Sequence, residues 1–556
     1  MAITAKARRL VHLLKIGLWL FAREVDFQKY KARLARHIES VSAISQGNSG
    51  GILIASGRGM NIVWAQIWTF LALCAGRDIS NVYVISIKKN SFVNRYFNLI
   101  GMRLIAIDKL IDEFNEYIPE RIINDISNVE NTEDCRKIYF DSLPIGDIAL
   151  STVCRHRGIG KISDFTLDVK SDLQHWMFRV YKSYHIAKAL ISDLDISHSF
   201  HTEVFLEEYG GIFFGCLETN VKVIRFAGTV RDNAFIIQKL TTENARKHHA
   251  SLNHVKWSEL RQANFSKDMD TWLTTNFSDR YSEKWYRSKR NYPGDQIVDE
   301  DLVLEELEIS TTKPIAIIFS HILYDSIFFY GTDLYPDYET WLIETVRLAC
   351  QNRNIQWIIK LHPSNVWRGE ISTLLDGRTL EEKLITNAFP DLPAHVLIMR
   401  SESPVSALSL MKIAKFGITV RGTSGLEMAA LGKQVITAGT GRYEGCGFTQ
   451  DPQSIKEYED LIANLQFLQT PDVEATLLAK KYSYGVFGMK AFELTSLIPN
   501  LSFGKKTLVS SDDICYFPSE VTDLDKCDDL VEFLAFLKDD RVDLYSNQSI
   551  DLGAVR

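Results

Sequence analysis

Apolar positions along the chain fall into short continuous runs separated by segments of helical period. Gly51-Ile-Leu-Ile-Ala55 carries no charge and stops at Ser56-Gly-Arg-Gly59. A helical pattern follows through Trp64, Ile67, Trp68 and Leu71, and Val82-Tyr-Val-Ile-Ser-Ile87 is the next run. Further strands are expected at Ala189–Ile196 and Val221–Phe226. The stretch 230–312 is polar, charged and aromatic, with few strand signals, and reads as the interdomain connection. The pattern then restarts. Pro314–Phe319, Ile355–Leu361, His395–Met399, Phe416–Val420 and Gln434–Ala438 read as strands, with helices at Trp341–Cys350 and Gly425–Leu431. Continuous apolar strands alternating with helices predict parallel sheets covered on both faces.

The expected fold class is therefore α/β, with two doubly wound, Rossmann-like domains facing a central cleft. The expected limits are 46–300 for the first domain, including the connection, and 301–500 for the second. Ligands of such sheets sit beyond the carboxyl ends of the strands. The two ends read differently. Residues 1–45 form a basic segment in which Leu10, Leu13, Leu14, Leu18 and Phe21 recur at helical spacing, and the first forty residues have a net charge of +6. Lys15 breaks the apolar run before it reaches the roughly 20 residues of a membrane span. Two readings stay open for it, an amphipathic helix lying on an anionic membrane surface and an ordinary packed helix. Residues 501–556 form an acidic extension, with a net charge of −8 from Thr507 onward. Phe517, Leu530, Phe533, Leu534 and Phe536 interrupt that charge, which suggests a short appended helix.

Composition narrows the class without choosing a function. With 46% hydrophobic and 24% charged residues in 556, the chain is globular and long enough for several domains. A net charge of −7 argues against a general nucleic-acid binder. Eight scattered cysteines with no C-x-x-C pair argue against zinc ribbons and fit reduced thiols in the cytoplasm.

Four constellations carry chemistry. Thr419-Val-Arg-Gly-Thr-Ser-Gly-Leu-Glu-Met-Ala-Ala-Leu-Gly-Lys433 reads as strand, small-residue turn and helix. Gly422 and Gly425 permit close approach, Thr423 and Ser424 add hydroxyls, and a helix N-terminus offers N–H groups to a phosphate. Arg421 adds charge, and Glu427 suits a ribose hydroxyl. The pattern is neither a Walker A loop nor the dinucleotide fingerprint, and a capped turn without a ligand is the plain alternative. Lys360-Leu-His-Pro363 places Lys360 and His362 at a strand's carboxyl end, where an imidazole can bind or protonate a leaving phosphate. Phe319-Ser-His-Ile-Leu-Tyr-Asp325 puts His321 and Asp325 in one loop. A third metal ligand is missing there, so a carboxylate–imidazole pair is the better reading. Ile196–Gly210 holds His198, His201, Glu207 and Glu208 after a strand. One of these is expected to be an acid or base facing the second domain.

The order S-H…Y-D, K-L-H-P, R-G-T-S-G-x-E-x-A-x-x-G-K, then Gly439–Tyr443 and Gly447-Phe-Thr-Gln-Asp-Pro452 resembles bacterial capsule polysaccharide biosynthesis proteins, including Kdo transferases. The resemblance spans roughly residues 190–465. It implies a GT-B fold and metal-independent transfer of a sugar from a nucleotide-sugar donor, CMP-Kdo-like or UDP-linked, to a growing surface polysaccharide or glycolipid. It also implies His362, Thr423 and Ser424 on the donor phosphate and Glu427 on the ribose. The catalytic set is then His362, Asp325, Glu207 and His321, with donor contacts from Lys360, Arg421, Gly422, Thr423, Ser424, Gly425 and Glu427. No cofactor beyond the donor, no metal and no nucleic acid is expected. The expected location is cytoplasmic, with peripheral attachment to the inner face of the cytoplasmic membrane as the alternative. Two other readings are a UDP-sugar 2-epimerase of the same architecture and a non-catalytic glycan-binding protein of capsule assembly.

Overall fold

The computed structural model describes residues 50–55, 62–76, 81–86, 92–115, 117–229, 234–281, 299–309, 312–325, 327–362, 378–400, 403–500, 514–516 and 521–546, together with Gln28. The basic segment 1–45, apart from Gln28, and the Ser56–Gly59 loop lie outside these described residues.

The first sheet contains β1 (Gly51–Ala55), β2 (Asn81–Ser86), β3 (Arg103–Ala106), β4 (Ile196–His201), β5 (Lys222–Gly228) and β6 (Ala234–Leu240). The second contains β7 (Ile315–Phe319), β8 (Gln356–Lys360), β9 (Val396–Met399), β10 (Phe416–Thr419) and β11 (Gln434–Thr437). A late strand, β12 (Phe492–Glu493), returns to the first sheet. The orders are β12-β6-β5-β4-β1-β2-β3 and β11-β10-β7-β8-β9. Strands β1 to β5 are mutually parallel, and β6 and β12 are added antiparallel. Every pairing in the second sheet is parallel. Counted by order of appearance, both parallel cores read 3-2-1-4-5, the doubly wound order.

Alternation of side chains puts each sheet between two apolar layers. Ile52, Ile54, Val82 and Val84 face one layer of the first sheet, and Leu53, Ala55, Tyr83 and Ile85 face the other. In the second sheet Ile315, Ile317 and Phe319 face away from Ala316 and Ile318. The layer holding Leu53 and Ala316 is continuous across both halves of the chain. Leu323, Ile327, Phe328 and Phe329, from the loop after β7, join it. Phe205 after β4 meets Phe329 at 5.2 Å between ring centres, and Ser151 Oγ donates to Ile327 O at 2.7 Å. The segments that follow β4 and β7 therefore meet along one seam.

Two elements, and the packing at the expected domain limits, depart from the sequence expectation. Ala189–Asp193 ends a long helix, Leu167–Asp193, and the strand begins only at Ile196. Its apolar run fits either period, and packing of the long helix on the helix Glu207–Leu217 decides it. Strand β6 lies inside the stretch read as a connection, as the antiparallel partner of β5. Packing also crosses the expected domain limits. Leu252, Leu260, Leu273 and Phe277 pack with the second sheet, whereas Phe492, Leu530, Phe533 and Phe536 pack with the first. The helix Asp528–Lys538 in the acidic extension is thus built into the first half's core.

His201 closes β4 with no solvent exposure, and neither ring nitrogen makes a hydrogen bond among the described residues. Burial holds its imidazole down at about 3. Above pH 6.5 it is neutral folded or unfolded, whereas below that only the unfolded chain takes the proton. Stability is then lost as pH falls from 6.5 toward 3, by up to about 1.4 kcal/mol per pH unit from this group. Urea midpoints at pH 7.5 and 5.0 should converge in His201→Phe relative to wild type, and an equal acid loss in both would refute the assignment.

Candidate functional site

In the second sheet β7 and β10 are neighbours, but the chain leaves them on opposite sides, which opens a crevice beyond their carboxyl ends. Ser320 and His321 follow β7, Leu361 and His362 follow β8, and Val420 to Ser424 follow β10. Three of the four sequence constellations contribute residues to this one place. Ser320 Oγ accepts from the His362 N–H at 3.0 Å, tying two of the loops. Lys360 closes β8 opposite Phe319 and is buried.

His321 lies between those loops and the turn after β10. The Val420 N–H donates to its Nε2 at 3.1 Å, and Thr419 Oγ1 is also 3.1 Å from Nε2. Thr419 Oγ1 in turn accepts from the Gly422 N–H at 3.0 Å. Burial first, then the Arg421 and His362 charges, push the His321 pKa down to about 3. An acceptor Nε2 and a depressed pKa agree on a neutral imidazole with its proton on Nδ1. His321, expected in the catalytic set, therefore organises the turn, with its ring packed on Tyr338 at 4.7 Å.

The turn opens the helix Thr423–Ala430, with Gly422 at its cap and no acidic residue in the first turn. Arg442 clamps it from outside: Nη1 donates to Arg421 O at 3.0 Å and Nη2 to Thr423 Oγ1 at 2.9 Å. Tyr443 Oη donates to Gly422 O at 2.8 Å. A Cβ on Gly425 would lie 2.4 Å from that hydroxyl, so glycine is required where Tyr443 crosses. Arg421 is buried and ion-paired to Asp333, and burial pushes its pKa down to about 10. Sequence reasoning missed Arg442 and Asp333. Arg442 lies within Gly439–Tyr443, a segment noted only for its resemblance.

Glu427 is not placed for a ribose. It is 1% exposed, one oxygen is ion-paired to Arg280, and the other accepts from Tyr281 Oη at 2.6 Å. Its carboxylate ties the helix Lys267–Tyr281 to the helix Thr423–Ala430.

The first half presents its own groups at the seam. Glu207 adopts φ +52°, a left-handed backbone at the first residue of its helix, and such strain is concentrated at functional places. Its Oε1 lies 2.6 Å from His156 Nε2, and its N–H donates to Thr152 Oγ1 at 2.9 Å. Asp325 pairs with Arg155 at 3.4 Å, so the neighbours Arg155 and His156 each hold one of the two carboxylates expected to be catalytic. Glu208 is buried against Arg179. His198 faces elsewhere, against Ser197 Oγ at 2.9 Å and near Lys222. Among the described residues no group of three or more His, Cys, Asp or Glu is placed to hold a metal ion, and no helix is long and apolar enough to cross a membrane.

No protein-family model matches the chain, and no curated protein matches it. Solved structures align at low similarity. A glycosyltransferase from Rickettsia africae ESF-5 covers 79% of this chain and 93% of its own, at 11% identity and a TM-score of 0.28. A KpsC β-Kdo 2,7 transferase from Thermosulfurimonas dismutans covers 66% and 97%, at 14% identity and 0.31. A UDP-GlcNAc 2-epimerase from Neisseria meningitidis covers 79% and 96%, at 10% identity and 0.28. With likenesses this distant, the functional reading rests on the geometry of this chain.

Proposed function

We propose that the protein is a glycosyltransferase that takes a sugar from a nucleotide donor and seats the donor phosphate on the turn Gly422–Ser424. The observation that carries this reading is the convergence of His362, Arg421, Arg442 and an acid-free helix N-terminus at the second sheet's β7/β10 crossing. As the glycosidic bond breaks, negative charge accumulates on the leaving phosphate. Fixed donors at that point stabilise the transition state, each to the extent of about 3–4 kcal/mol. Arg421 and Arg442 supply charge, the opening N–H groups of the helix supply dipoles, and His362 binds or protonates the departing oxygen. Asp325 and Glu207 are the carboxylates proposed to activate the acceptor hydroxyl or to form a covalent intermediate. The donor we propose is CMP-Kdo-like or a UDP-sugar, and the acceptor a growing bacterial surface polysaccharide or glycolipid. The basic N-terminal segment would hold the enzyme at the inner membrane face.

The full chain, incubated with CMP- and UDP-sugars and glycolipid acceptors, should release nucleotide and extend the acceptor. Conversion of a UDP-sugar to its epimer without acceptor would instead identify the epimerase of similar architecture. A folded protein that turns over no donor refutes the proposal.

A further inference from the structure

Behind the phosphate turn the seam holds buried guanidinium nitrogens that the acids around them, Asp333, Glu444 and Asp543, leave without hydrogen bonds. Arg225 projects from β5 of the first sheet and is 1% exposed. Its Nη2 donates to Gln238 Oε1 at 2.8 Å and to Lys247 O at 3.4 Å, and the Tyr330 hydroxyl lies beside it. Arg421 and Arg442 approach from the second half, at 4% and 8% exposure. Apart from the Tyr330 hydroxyl, Nε and Nη1 of Arg225 and Arg421, and Nε of Arg442, meet no hydrogen-bond acceptor among the described residues. Charged donors buried without acceptors are costly, and native proteins seldom retain several together without a use for them.

His248 shows that the three guanidiniums belong to one place. Its backbone N–H donates to Gly441 O at 3.0 Å, next to Arg442, and its ring lies 4.9 Å from Tyr330. Burial, His249, Arg442, Arg225 and Arg421 all drive its pKa down. The Ala250 N–H donates to His248 Nδ1 at 3.1 Å, which leaves the proton on Nε2 and makes the ring a neutral donor. His249 stacks on it at 4.2 Å, an arrangement suited to two uncharged rings.

We infer that Arg225, His248 and the unsatisfied faces of Arg421 and Arg442 form a cradle for a second anionic group of the donor, beside the phosphate on the turn. The inference rests on the nucleotide-sugar reading and deepens it, since a donor with a single charge on the turn would leave Nε and Nη1 of Arg225 with no acceptor but the Tyr330 hydroxyl. The group is a phosphate or a carboxylate: either the second phosphate of a nucleoside diphosphate or an acid on the transferred sugar. Arg225 comes from the first sheet and Arg421 and Arg442 from the second half, so the bound anion would also bridge the two.

Dissociation constants measured by calorimetry on the full chain test this. UDP should bind about 10- to 100-fold tighter than UMP if the group is a phosphate. A CMP-linked sugar acid should bind tighter than CMP by a similar factor if it is a carboxylate. In Arg225→Gln the advantage should collapse toward unity while UMP and CMP affinities hold. An advantage that survives Arg225→Gln overturns the cradle, as does the absence of any advantage in wild type. Inorganic pyrophosphate separates this failure from failure of the function. If no nucleotide binds, yet pyrophosphate raises the melting temperature of wild type and not of Arg225→Gln, the cradle stands and the donor reading falls. If pyrophosphate is also without effect, both fall. Should Arg225→Gln lose its cooperative melt, Arg225→Lys replaces it, and an undiminished advantage there overturns the inference.

Discussion

Replacing Arg442 by alanine should cut donor-dependent transfer by about 10²–10³-fold. The guanidinium holds the turn from two sides, through Arg421 O and Thr423 Oγ1, and adds charge where the leaving phosphate would gather it. Alanine removes the clamp and the charge together. Lysine restores a charge but not the planar fork that reaches both acceptors, so Arg442→Lys should recover only part of the rate. Nucleotide titration gives an independent readout: Arg442→Ala should weaken UDP and CMP binding alike. Wild-type affinity and rate in Arg442→Ala would place the phosphate elsewhere.

Replacing Lys490 by methionine should destabilise the protein by about 3–5 kcal/mol, because it strands a buried carboxylate. Lys490 Nζ and Asp543 Oδ1 are 2.9 Å apart, each with 1% side-chain exposure. Gln238 Nε2 and Asn253 Nδ2 each donate to Asp543 at 2.7 Å. The cluster joins β6, the connection, the segment leading back to the first sheet and the end of the acidic extension. Lys490→Met should lower the melting temperature by roughly 3–4 °C. Adding Asp543→Asn should recover part of the loss, since no carboxylate is then stranded, although the nearby Arg225 gives up a counter-charge. Purely additive losses in the double variant would show that the pair is not the unit that matters.

The parallel strands of the second half were legible because each is a continuous apolar run with no competing helical period. Ala189–Asp193 was misread for the reciprocal reason: an apolar run of that length suits either element, and the long helix claims it. Strand β6 escaped because its flanks are polar and its pairing with β5 is set by the sheet. At the candidate site, Gly422, Thr423 and Ser424 were visible because small residues between a strand and a helix permit close backbone approach and supply hydroxyls. Arg442, Arg225 and His248 were not, because topology alone brings them to the turn. The partner of Glu427 shows the same limit. Arg280 lies 147 residues away in the chain, and nothing local marks that carboxylate as already engaged.

The most direct measurement is a crystal structure of the full chain with UDP or CMP bound. The account predicts phosphate oxygens within hydrogen-bond distance of the Thr423 and Ser424 amides, with the His362 imidazole alongside. A nucleotide whose phosphate touches neither that turn nor His362 would contradict it.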